Sequence, residues 1–158
     1  MARALAARLD RGAHVEGEAL WKMIVTGREM PERDLSGEAE RQFELSIRNQ
    51  CLLARSFAEA GFTPVLDFVV VTRYHLDAYR GYLRGGLLQL GVLAPRPEVV
   101  ARRDAARAKG STGDRFARLD ATLREELAGV GHWVDSSELD VERTVEAMLA
   151  GRARARVT

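Results

Sequence analysis

The sequence predicts an α/β protein, in which a parallel sheet forms the middle of three layers and carries helices on both faces. Three observations predict it. Segments with the three- and four-residue spacing of amphipathic helices alternate along the chain with short β-branched runs. The run Val65-Leu-Asp-Phe-Val-Val-Val71 is almost continuously apolar, as in a strand covered on both faces. The 158 residues suffice for one domain with its own core and fall short of two ordinary ones, so residues 1–158 are read as a single domain.

Element by element, Ala2 to Leu9 has high helix propensity with Leu5 and Leu9 on one face, and Gly12 stands where the chain turns into a strand. Ala13 to Val15 is that strand. Ala19 to Thr26 is helical by the spacing of Leu20, Met23 and Ile24, and Gly27 to Gly37, with Pro31 and several charges, is a loop. From Glu38 to Ala60 the apolar residues Phe43, Ile47, Leu52, Leu53 and Phe57 mark a long amphipathic helix closed by Gly61. Phe62 to Val71 is the strongest strand. His75 to Arg84 is helical, Leu87 to Leu93 is another buried strand, and Pro95-Arg-Pro97 precedes a helix from Glu98 to about Ala108. A further helix runs from Asp114 to about Leu127, Gly131 to Val134 is a short strand, and Val141 to Ala150 closes the fold ahead of an Arg-Ala tail. No internal repeat or linker divides the chain.

Composition removes several classes. Hydrophobic residues make up 46% and charged residues 30%, an ordinary globular mix that excludes disordered and collagen-like chains. The 24 basic and 23 acidic residues leave a net charge of +1, which gives no global attraction to nucleic acid or to an anionic membrane. Among the basic residues only Lys22 and Lys109 are lysines; this Arg and Ala bias is that of a GC-rich bacterial genome. Cys51 is the only cysteine, so neither a disulfide nor a cysteine zinc site can form within the chain, and a reducing cytoplasm is the expected location. No apolar run has the 18 or so residues of a membrane span, and the amino end has no signal-like hydrophobic region.

Ligands of open parallel sheets bind beyond the carboxyl ends of the strands, which directs attention to three polar clusters. Glu16 and Glu18 follow the first strand, although Glu18 also sits where a carboxylate favours the start of a helix. Asp67 is the one charge in an apolar strand, costly there unless paired, hydrogen-bonded or near a metal. Arg102, Arg103 and Arg107, followed by Lys109, Arg115 and Arg118, form a basic cluster. Arg103 and Arg107 share a helix face and can close two guanidinium forks on one polyphosphate, or simply form a solvated face. Gly110-Ser-Thr-Gly113 has neither the order nor the preceding strand of a phosphate loop. His14, His75 and His132 show no ligand spacing, and Cys51, Trp21 and Trp133 are read as core.

Taken in order, Ala2-Arg-Ala-Leu-Ala-Ala-Arg-Leu9, His14-Val-Glu-Gly-Glu-Ala-Leu-Trp21, Val65-Leu-Asp-Phe-Val-Val70, Pro97-Glu-Val-Val-Ala-Arg-Arg-Asp-Ala-Ala-Arg107 and Trp133-Val-Asp-Ser-Ser137 resemble the small P-loop kinases. The nearest group is similar to the bacterial chloramphenicol-phosphotransferase-like and AAA-type ATP-binding proteins, kin to shikimate, gluconate and adenylate kinases. The resemblance implies a P-loop NTPase fold that transfers a phosphoryl group from ATP, with Mg²⁺, to a hydroxyl of a small molecule. It places Glu18 beside the acceptor hydroxyl, with Glu16 just before it, and makes Asp67 a Walker-B-like residue of the Mg²⁺ site. Arg103 and Arg107 fit the R-x-x-x-R spacing of the lid, about residues 98–118, with Arg102 next to them. Asp135, Ser136 and Ser137 correspond to the turn bordering the adenine.

One departure bears on all of this. The family's first strand and phosphate loop stand directly before the helix that here begins at Ala2, and the chain supplies neither; the lysine for the β- and γ-phosphates and the hydroxyl for Mg²⁺ go with them. Loss of that central strand is expected to leave strand edges unpaired. One explanation places the true start roughly 15 to 20 residues upstream. The other makes the chain a degenerate, non-catalytic nucleotide-binding or regulatory relative. The expected partner is a small-molecule hydroxyl acceptor, with no membrane and no nucleic acid, and a homodimer is left open.

Overall fold

The computed structural model describes residues 1–29, 37–106 and 113–157, without the side chains at 104 and 113–116. It is α/β, and the chain packs as two compact units, Met1–Val70 with Tyr74–Gly85, and Val71–Arg73 with Gly86–Thr158.

In the first unit, α1 (Ala2–Ala6) leads into β1 (Gly12–Glu16), α2 (Gly17–Lys22), the long α3 (Gly37–Glu59), β2 (Thr63–Asp67) and α4 (Arg73–Tyr82). β1 and β2 pair in parallel, in register from Gly12 opposite Thr63 to Glu16 opposite Asp67. A parallel pair needs a long crossover, and α3 provides it. Two close approaches draw these elements together. A Cβ at Gly12 would fall on the Ala6 carbonyl, so the bare glycine lets α1 rest against the start of β1. At the other end, a Cβ at Gly17 would lie 2.6 Å from the Phe68 ring, which stacks on Phe43 at 4.4 Å between centroids.

The core of this unit holds Val15, Ile47, Cys51, Ala54 and Leu76. α3 turns inward only part of the face its apolar residues predicted, with Ile47 buried and Phe43 half-buried. Gln42, Ser46 and Gln50 are buried, whereas Leu52 is 55% exposed and Leu53 and Phe57 are exposed too. The reason is that the buried polar groups have partners. Gln42 Nε2 donates to the Gly27 carbonyl at 2.7 Å and its Oε1 accepts from the Glu29 amide at 2.9 Å, while the Ser46 hydroxyl donates to the Gln42 carbonyl at 3.0 Å.

In the second unit, β3 (Gly91–Leu93) and β4 (His132–Val134) pair in parallel, with α5 (Pro97–Ala105), α6 (Gly113–Glu126) and α7 (Val141–Ala150). The tail adds an antiparallel bridge between Gln89 and Arg156. Asp140 caps α7 by accepting from the Arg143 amide at 2.8 Å. Val92, Val99, Leu127, Val134 and Val145 form the core.

The single three-layer sheet expected from the sequence is not what the described residues form: they contain two parallel sheets of two strands each. The strand expected over Phe62 to Val71 ends at Asp67, opposite Glu16, because its partner β1 finishes there and the chain enters α2 at Gly17. Val65 and Leu66 are accordingly half-buried rather than enclosed on both faces. Leu87 to Leu93 contributes only Gly91–Leu93 as a strand; ahead of it the Leu88 carbonyl accepts from the Val157 amide and the Leu90 amide donates to the Ala155 carbonyl of the tail, while the Leu90 carbonyl accepts from the His132 amide of β4.

Candidate functional site: the strand ends of the first unit

β1 and β2 lie side by side and run the same way, so their carboxyl ends bring Glu16 and Asp67 into register. Past β1 the chain turns at once into α2, placing Glu18 in its first turn, where the amide dipoles favour a carboxylate. Glu18 pairs with Lys22 one turn on, at 2.6 Å. Asp67 reaches back along β1, and the His14 ring donates from Nε2 to Asp67 Oδ1 at 2.8 Å. Glu16, Glu18 and Asp67 are all exposed, while His14 is half-buried. The charge in the apolar strand is thus partnered and open to water, which removes most of its desolvation cost.

Beneath these acids lies an enclosed polar network. Gln50 is wholly buried; its Nε2 donates to the Val15 carbonyl at 2.6 Å and to the Asp67 carbonyl at 3.0 Å, and its Oε1 accepts from the Tyr79 hydroxyl. Burial pushes the Tyr79 phenol well above its ordinary range, so it keeps its proton and donates. The sequence pointed to neither Gln50 nor Tyr79, and His14 was weighed there only as a metal ligand. A signal for Gln50 was present, since Gln42, Ser46 and Gln50 recur every four residues, but a polar stripe on an amphipathic helix reads as its solvent face.

The remaining candidates lie in the second unit, where the chain leaves β4. The Ser137 hydroxyl and amide donate to Asp135 Oδ1 at 2.5 and 2.9 Å, and these bonds, the hydroxyl's first, hold the Asp135 carboxyl below the usual carboxylate range. The Arg96 amide donates to Ser137 Oγ at 2.8 Å, and its guanidinium pairs with Glu98 at 3.1 Å and with Glu138. Arg103 donates from Nη2 to the Ser136 carbonyl at 2.9 Å, with the Ser137 and Leu139 carbonyls at 3.4 Å. Ser136 and Ser137 are buried, so they build the turn; Asp135 and Arg102 are exposed. Arg107 and Lys109 lie outside the described residues, as do the side chain of Arg115 and most of the loop expected over Gly27 to Gly37.

Among the described residues no group of three His, Cys, Asp or Glu side chains is placed to hold a metal ion, and no helix is long and apolar enough to cross a membrane. A Mg²⁺ carried by nucleotide phosphates needs only one or two protein carboxylates, which is the most that Asp67 and its neighbours offer. No family model matches the chain, and no curated protein matches it. Fold and site together define an α/β protein with exposed acids at the carboxyl ends of two parallel strands and in the helix that follows the first.

Proposed function

We propose that the chain is the acceptor- and lid-bearing part of an ATP-dependent phosphotransferase that acts on a hydroxyl of a small molecule. The observation that carries this reading is the register of Glu16 with Asp67 at adjacent strand ends, with Glu18 in the first turn of α2, on a buried polar support. Phosphoryl transfer asks a protein mainly for positioning and electrostatics. In this reading Asp67 leaves His14 to meet a nucleotide-borne Mg²⁺, Glu18 orients the acceptor hydroxyl, and Arg102, Arg103 and Arg107 neutralise phosphate charge. Asp135, Ser136 and Ser137 border the base. These 158 residues contain no G-x-x-x-x-G-K-[ST] segment, and the reading requires a phosphate loop to complete the site.

The engagement of Arg103 with the Ser136 carbonyl and of Asp67 with His14 favours a second reading, a non-catalytic relative that kept the fold and turned its charged residues to structural use. Calorimetric titration with ATP and Mg²⁺ separates the two. The chain alone should bind weakly or not at all, and the chain extended at its amino end through a strand and phosphate loop should bind tightly. Equal, tight binding by both would overturn the role given to the loop; no binding by the extended chain would overturn the phosphotransferase reading.

A further inference from the structure

Gln50 is placed to do more than fill the core. Both hydrogens of its carboxamide are engaged, on the Val15 and Asp67 carbonyls at 2.6 and 3.0 Å. These carbonyls stand where β1 and β2 finish, one residue before Glu16 and at Asp67 itself. A carboxamide can ordinarily turn over and exchange its oxygen for its nitrogen. Here it is held one way round, since the Tyr79 hydroxyl donates to Oε1 and a reversed amide would set its NH₂ against that hydroxyl hydrogen. One side chain on α3, keyed by one on α4, therefore ties together the ends of both strands.

We infer that Gln50, locked by Tyr79, is a positioning residue for the acidic strand ends: it sets their spacing and so aims the Asp67 carboxylate at His14 and the exit of β1 toward Glu18. That these acids carry phosphoryl chemistry rests on the function proposed above; the geometry itself is read without any ligand, so the two ideas fail independently. A merely structural Gln50 would contribute stability and leave the His14 to Asp67 bond untouched when its lock is removed.

The test is NMR of the whole chain, wild type and Tyr79→Phe, with Gln50→Met as a second variant. In the wild type the Gln50 side-chain NH₂ should exchange with solvent at least about a hundredfold more slowly than a free amide. Tyr79→Phe removes a hydroxyl that bonds to Gln50 and to neither His14 nor Asp67; it should shift the His14 Nε2–H resonance and speed Gln50 NH₂ exchange at least about tenfold. Gln50→Met should shift the same His14 resonance. Free-amide exchange of Gln50 in the wild type would overturn the inference, and so would a His14 resonance unmoved in the folded variants.

Discussion

Cys51 and Asp135 expose the chemistry of this chain most simply. Cys51 is 1% exposed, and burial pushes its thiol up to about 12 from an ordinary 9.0. With the folded value above the unfolded one, its contribution to stability is fully present below the unfolded value and is lost as pH rises from there toward the folded value. The denaturation midpoint should therefore fall between pH 8 and pH 11, and less so in Cys51→Ala. The native thiol should also resist a disulfide reagent that labels it at once in denaturant; rapid native labelling would contradict the burial. Asp135 has the opposite sign. Its carboxyl is held low by Ser137, so its contribution is present above the ordinary carboxylate value and is lost as pH falls through the folded value. Ser137→Ala should raise the Asp135 titration midpoint toward the ordinary value, read by carboxyl NMR.

Among the elements, α3 separates what a sequence displays from what packing decides. Its existence, its length and the burial of Ile47 were legible in the spacing of its apolar residues, and so was its closure at Gly61. Its inward face was not, because hydrophobicity cannot show that Gln42 and Gln50 will find carbonyls and an amide to bond, and a satisfied amide is as much at home in the core as a leucine. The consequence is measurable by urea denaturation. Ile47→Ala should cost about 2–5 kcal/mol, and Leu52→Ala, on the exposed side, about 0.5 kcal/mol or less. Equal costs would contradict the observed orientation of α3. At β1, Gly12→Ala should cost about 1–3 kcal/mol, since the obstacle is the Ala6 backbone and α1 has to move away from the strand.

For the whole molecule, alternation of helix and strand announced the α/β class, and the acids were found by asking which polar residues follow strands. The strand limits escaped the same reasoning, because the apolar run from Val65 to Val71 continues past Asp67, where β2 loses its partner as β1 gives way to α2. The role of Asp67 is likewise decided by neighbours distant in sequence. His14 pairs with it through the register of β1 and β2, and the function proposed here requires that bond to yield to a nucleotide-borne cation. The most direct measurement is the Mg²⁺ dependence of ATP affinity, by calorimetry, in the chain extended through a phosphate loop, compared with Asp67→Asn in the same background. The account predicts that Mg²⁺ strengthens binding at least about tenfold with Asp67 present and not in Asp67→Asn, with the fold intact in both. An undiminished Mg²⁺ effect in Asp67→Asn would contradict it.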